Sequence, residues 1–351
     1  MGKSSGKSSG FSLLELMVAV AILLVVAGGA FTFLMSYQNT YLATALRSDM
    51  HSTLRGATDL MQQDISQAGT VSLSATCSGG QPTTVVSTTT STAGCPTLKS
   101  AVSAGLQTAT VNTNTGAMYV GEALVVDVGS SQETVTTTAV TSTTFTASFA
   151  NSHTAGAVVT APGVFPQGIL FANPGCTGTC TGATPASSSG TDLYLFGDIH
   201  GDGTLAVVHY NCNQPSTPVT TTWVTPGTLT RADSALTANP ESTPVVLLDN
   251  IAANPNNIPC FQYTWQTATI GATTYTFATS VSVTLTVQGT EIDPVRKTVP
   301  VTETKSFMNL APRNILGAYS MGTLSISSYF QTGPSGNCQL QLSCKCTGTG
   351  C

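Results

Sequence analysis

Twenty-five residues from Phe11 to Met35, FSLLELMVAVAILLVVAGGAFTFLM, carry a single charge, Glu15. At a helical rise of about 1.5 Å per residue the run spans roughly 37 Å, enough to cross a hydrocarbon core. Lys3 and Lys7 precede it, which puts the N-terminus on the cytoplasmic side and exports the rest of the chain. Read as a secretory signal, the run needs a small-residue cleavage site just beyond its apolar core. Ala27-Gly28-Gly29-Ala30 mimics one weakly, but the helical pattern continues straight through it. Read as a plain membrane anchor, the run leaves Glu15 without a purpose. An acid in a spanning helix costs about 2.5–3.5 kcal/mol at the bilayer centre and less near the helix start.

The helical pattern extends past the membrane. Leu42, Leu46, Met50, Leu54, Ala57, Met61, Ile65 and Ala68 recur every three or four residues, and Arg47, Asp49, Arg55, Asp59 and Asp64 are expected on the opposite, solvated face. No proline interrupts 11–69, Gly28-Gly29 is the evident weak point, and Gly69 is a natural stop.

Charged residues make up 8% of the chain, 11 of them Lys or Arg, and the net charge is −5. So thin a basic content excludes a nucleic-acid-binding face, while a 41% hydrophobic content argues against charge-driven disorder. Thr, Ser, Gly and Ala take the place of charge, a composition suited to exported β-structure. Ten cysteines fall as Cys77 and Cys95, Cys176 and Cys180, Cys212 and Cys260, then Cys338, Cys344, Cys346 and Cys351. The even number reads as a disulfide framework formed outside the cytoplasm, the first three groups inviting local pairing. The C-x5-C-x-C-x4-C tail suits a zinc module poorly.

After Gly69 the helix signals nearly vanish. Residues 70–117 are Thr/Ser-rich and read as a loop or edge region. Residues 118–162 read as a compact β-module with strands at Leu124–Val128, Glu133–Val140, Phe145–Phe149 and Val158-Val159, and a turn at Gly129-Ser130-Ser131. A longer β-region follows over 163–314, with strands at Asp192–Gly197, Thr204–Tyr210, Val245–Leu248, Phe261–Thr267, Thr274–Gly289 and Val299–Leu310. Val281, Val283, Leu285 and Val287 alternate with Ser282, Thr284 and Thr286, as in a half-buried antiparallel strand. A Cys-rich tail occupies 315–351.

The segment Gly10-Phe11-Ser12-Leu13-Leu14-Glu15-Leu16 resembles the prepilin processing motif of type IV pilins and type II secretion pseudopilins. The resemblance implies that prepilin peptidase removes the leader 1–10 by cutting after Gly10, that Phe11 is then N-methylated, and that Glu15 serves assembly. Physically, Glu15 and the freed Phe11 amine of a neighbouring subunit would offset each other's burial cost and set axial register. The amine of the same chain, one turn away, is the alternative partner. The stretch LRGATDLMQQDISQAG (54–69), and the order DLYLFGD, DGTLAVVHY, GTLTR, PVVLLDNI, FQYTW, SVSVTLTV and a last strand ending at Arg313-Asn314, resemble PilW-like minor pilins. Residues 118–161 resemble small β-modules of phage and bacterial surface proteins. The implied fold is α+β: a long hydrophobic and amphipathic stalk helix (11–69) packed on an antiparallel β-sheet head, with an inserted all-β module. The implied protein is a non-enzymatic minor pilin supporting pilus biogenesis, adhesion or motility, near the filament tip on grounds of head size. Its partners would be other pilins, the peptidase and the inner-membrane assembly machinery. It would sit in the bacterial inner membrane with a periplasmic head, then on the pilus or cell surface. A type II secretion pseudopilin and a membrane-anchored adhesin are the alternatives.

Other chemistry is weaker. Asp198-x-His200-Gly201-Asp202-Gly203 resembles part of a calcium loop, but His200 and His209 stand where that loop needs an Asp or Asn and a Glu, so a hairpin turn is expected. Glu133 and His153 read as a solvated strand charge and a turn histidine. Trp223, Tyr263 and Trp265 could line a glycan patch, but read first as sheet-core aromatics. The four histidines, at 51, 153, 200 and 209, lie apart along the chain, and no G-x-S-x-G elbow is present. No catalytic site, cofactor or metal is expected.

Overall fold

The computed structural model describes residues 12–71, 96–112, 118–161, 163–166, 168–170, 188–201, 204–217, 224–235, 242–270, 273–293, 300–324 and 330–331. The first helix, α1 (Leu13–Gln67), is continuous for 55 residues, about 80 Å at 1.5 Å per residue. It passes Gly28-Gly29 unbroken. Within it the hydroxyls of Thr32, Thr40 and Thr44 donate to the carbonyls of Gly28, Ser36 and Thr40 at 2.9–3.0 Å, so these polar groups need no outside partner. The helix stops as expected: the Ala68 amide closes the last turn on Asp64 and Ile65, and Gly69 takes a φ of +84°, the left-handed step that a glycine makes without a Cβ penalty.

Beyond the helix come β1 (Thr70–Val71), β2 (Gly105–Thr110), β3 (Ala123–Val126), β4 (Glu133–Val140), β5 (Thr144–Phe149), β6 (Val159–Thr160) and β7 (Gly163–Val164). Strands β2 to β6 form an antiparallel sheet in the order β2-β5-β4-β3-β6, and β7 returns to pair with β1. The module is therefore inserted between two paired strands of the head. It is also larger than its sequence suggests. Within the supposed loop region 70–117, β2 pairs with β5 along its length, and Leu98, Val102, Ala109 and Val111 join the module core. The chain enters and leaves side by side, with Val159 donating to the Pro96 carbonyl at 2.7 Å and Leu98 to that of Ala157 at 2.9 Å. Thr-rich composition hid a strand in which Ala109 alone is buried while Leu106 faces outward.

The head contains β8 (Asp192–Gly197), β9 (Ala206–Asn213), β10 (Gly227–Ala235), β11 (Val245–Ala252), β12 (Phe261–Ile270), β13 (Thr273–Ile292) and β14 (Pro300–Leu310) in one antiparallel sheet. The twenty-residue β13 organises it, carrying first β12 and then β11 on one edge and β14 on the other. Strand β10, whose polar GTLTRADSA sequence gives no strong alternation, fills the place between β9 and β11.

The second half of α1 lays Met50, Leu54, Ala57, Met61 and Ile65 onto this sheet. Strand β8 is buried on both faces: Leu193 and Leu195 meet the helix layer, while Tyr194 and Phe196 meet a second layer containing Phe165, Leu170 and Tyr119. Its unbroken apolar run reflects that two-sided burial.

The chain corrects the expected end of the last strand. β14 stops at Leu310, and Arg313-Asn314 opens a helix, α2 (Arg313–Thr323), behind Pro312. Pro312 cannot donate to a ladder but is tolerated at a helix start. Ile315 and Ala318 are fully buried in the main core, and Asn314 Nδ2 donates to the Ser66 carbonyl at 3.2 Å and to Thr70 Oγ1. The second helix thus fastens the exit of the first.

Candidate functional site: the stalk and its docking onto the head

The two halves of α1 face different environments. From Leu13 to Leu42 the large apolar side chains are exposed, among them Leu13, Leu14, Leu24, Val25 and Phe33. Each is worth about 1.5–3 kcal/mol once removed from water, so this surface demands cover. Its 18-residue apolar window is long enough to cross a membrane and has no residue buried against the rest of the chain. Glu15 projects from the first turn of the same exposed segment. Gly10 and Phe11 lie outside the described residues.

The docked half is fastened by a buried ion pair. Asp64 was expected on the solvated face, but it is 4% exposed. Its Oδ2 accepts Arg231 Nε at 2.9 Å and the Tyr210 hydroxyl at 2.7 Å. Burial alone would lower the Arg231 guanidinium, but the Asp64 carboxylate reverses this and raises it. Burial first, then the Asp64 charge, raises the Tyr210 phenol. Arg231 continues to Asp233 (3.1 Å), and Asp233 to His200 Nε2 (2.7 Å), reaching the β8–β9 turn at the surface. Asp64 sits three residues after Met61, on the same buried stripe; the 3.6-residue period could have found it, but residue type argued for the outside.

Inside the module, Glu133 and His153 are not the solvated pair expected. The His153 ring is fully buried between two carboxylates, with Nε2 2.6 Å from Glu133 Oε1 and Nδ1 3.1 Å from Asp127 Oδ2. Glu133 also accepts the Ala150 and Asn151 amides at 2.6 and 2.9 Å. Burial pushes the Glu133 carboxyl up, but those two amides and His153 outweigh it and hold it below the usual range. Both ring nitrogens are occupied, so the cluster is a structural clamp, and no metal-binding group of three or more His, Cys, Asp or Glu occurs among the described residues.

In the head, Asp192 accepts His209 Nε2 (3.1 Å), Asn211 Nδ2 (2.7 Å) and the hydroxyls of Ser189 and Thr191. Burial raises its carboxyl, and these donors reverse the shift and hold it low. His209 stacks on Tyr194 at 3.8 Å. The Tyr263 hydroxyl donates to the Asp192 carbonyl at 2.8 Å, placing that ring at the edge of the core. Trp265, expected inside, is 37% exposed because a register shift between Thr264 and Trp265 interrupts the alternation of β12. Trp223 lies outside the described residues, as do Asp202 and Gly203 of the suspected calcium turn. Cys212 and Cys260 form a disulfide joining the end of β9 to the start of β12; the other eight cysteines lie outside the described residues.

Residues 5–31 match the family model described as the prokaryotic N-terminal methylation motif. The match runs into the exposed apolar half of α1, and together they give this chain a prepilin-type N-terminus, the kind that prepilin peptidase processes in type IV pilin-like proteins. No curated protein matches the chain. Among solved structures, Phage phi92 endosialidase is similar over 61% of this chain and 39% of that one, at 13% identity and a TM-score of 0.20, a likeness too slight to bear on fold or function.

Proposed function

We propose that this chain is a minor pilin of a type IV pilus, cut after Gly10, N-methylated at Phe11, held in the inner membrane by 11–35 and then drawn into the filament, at or near its tip. The observation that carries the reading is the division of labour along α1. A methylation motif leads into an exposed apolar half, and the same helix continues into a half locked to a folded head by the Asp64–Arg231 pair. Moving the stalk from lipid to a bundle of other stalks keeps its apolar surface covered throughout, so extraction carries no large hydrophobic penalty. The methylated amine of Phe11 is a cation one turn from Glu15. Pairing between neighbouring subunits offsets the cost of two charges at low dielectric and fixes the axial step. The disulfide between Cys212 and Cys260 suits a head folded in an oxidising compartment, and the module enlarges that head in a way suited to a rare, terminal subunit.

Mass spectrometry of the mature chain tests the first step. N-methyl-Phe11 at the N-terminus is expected; a chain starting after Ala30 overturns the proposal. Glu15→Gln is expected to leave the protein in the membrane but absent from sheared filaments, and undiminished recovery there removes the assembly role. Loss of secretion rather than of pili on gene deletion would assign the chain to a type II secretion system instead.

A further inference from the structure

We propose that the contact between the inserted module and the head is a proton-operated junction, closed while the Glu122 carboxyl is protonated and loosened when it ionises. Glu122 leads into β3 at the base of the module and is 0% exposed. Its Oε2 accepts the Tyr119 amide at 3.2 Å, and its Oε1 has no partner among the described residues. Among the described residues no Lys, Arg or His forms an ion pair with it.

The surroundings are those of a joint between two bodies. Tyr119, three residues earlier, belongs to the layer that covers β8 and β9 of the head, with its ring 5.9 Å from that of Phe165. Ala123, the next residue, is held by Gln331, whose side-chain amide donates to the Ala123 carbonyl and accepts its N–H, both at 2.9 Å. The Gln331 backbone in turn donates to Val164 of β7 at 3.0 Å. Glu122 therefore lies where module, head and C-terminal segment meet.

A carboxylate here would be a bare charge excluded from water, and no cation among the described residues compensates it. Strand β4 contributes Thr137, whose Oγ1 accepts the Glu122 amide, and the C-terminal segment contributes Gln331. Of the described groups around it Tyr119 alone titrates, and its phenol is itself raised by burial and by Glu122. Burial pushes the Glu122 carboxyl up to about 8, the Tyr119 amide pulling weakly the other way. A carboxyl raised in the closed state binds its proton more tightly there than when opened to water. Closure is thus fully favoured below the ordinary carboxylate range and weakens as pH rises towards 8. This is distinct from the acid-sensitive carboxylates of the rest of the molecule, which lose stability in the opposite direction.

The test is amide hydrogen exchange by mass spectrometry on the full chain in detergent micelles, between pH 5.5 and 9, corrected for intrinsic exchange. Peptides spanning 118–126 and 160–166 report the junction, and peptides from β13 serve as internal reference. The opening constant of the junction peptides is expected to rise by close to tenfold per pH unit from 5.5 to 7.5 and to level off above about 8, one proton being lost per opening. Glu122→Gln is expected to abolish that slope, as is Glu122→Met, which also removes the polar group. A flat profile in the natural chain overturns the proposal, as does an unchanged slope in either variant.

Discussion

Arg231 Nε donates to Asp64 Oδ2 across 2.9 Å, joining the last turns of the stalk helix to the central strand β10. Removing one member of a buried pair costs about 3–5 kcal/mol when the other charge is left uncompensated; Asp233 still pairs with Arg231 at 3.1 Å, which puts the loss of Asp64 at the low end of that range. Asp64→Ala is therefore expected to lower head stability by that amount in urea denaturation followed by tryptophan fluorescence. Adding Arg231→Ala should cost much less than the sum of the two single changes, since the second removes the orphaned charge.

The clamp around His153 carries a pH signature of its own. The Glu133 carboxyl is held below its usual range in the folded module, so its contribution is present above the unfolded carboxylate range and is lost as pH falls through the depressed folded value. The module's unfolding midpoint is expected to fall below about pH 4.5, and Glu133→Gln to flatten that part of the profile, read by hydrogen exchange in β3–β5 peptides.

The Cys212–Cys260 disulfide closes a sequence separation of 48 residues. Restricting a loop of that size in the unfolded chain stabilises a fold by about 2–4 kcal/mol. The Cys212→Ser, Cys260→Ser double variant is expected to unfold at correspondingly lower urea, and a reductant should then shift the natural chain by more than it shifts the variant.

Gly197 ends β8 with a φ of +145°, and a Cβ there would stand 2.8 Å from the Thr70 carbonyl oxygen. Gly197→Ala is expected to cost about 1–3 kcal/mol through backbone strain and displacement of β1. Calorimetry of the full chain checks it; an unchanged Tm would show that β1 can shift freely.

Much of this architecture is legible locally. Apolar spacing places α1 to within two residues of its observed Leu13–Gln67, and alternation in β4 and an unbroken apolar run in β8, each bounded by turn signals, place those strands at their observed limits. The methylation motif is likewise a short contiguous signal. Polar residues misled the reading wherever their partners are distant. Asp64 meets Arg231 across 167 positions and His153 meets Asp127 across 26, so the partners that make either burial tolerable leave no trace in the nearby sequence. The α2 helix is too short and too mixed to announce itself, and owes its burial to Ile315 and Ala318.

By itself the amino-acid order determined a stalk helix long and apolar enough to span a membrane, the methylation motif at its start and the antiparallel character of the rest, because periodicity and turn chemistry act over a few neighbouring residues. Only the tertiary structure decided which charges are buried, that residues 96–112 belong to the module, and that Glu122 lies, among the described residues, without a cation at the joint between module and head. Those outcomes depend on strand pairing and side-chain contacts between parts of the chain far apart in sequence, where burial removes water and gives each unpaired polar atom its energetic weight.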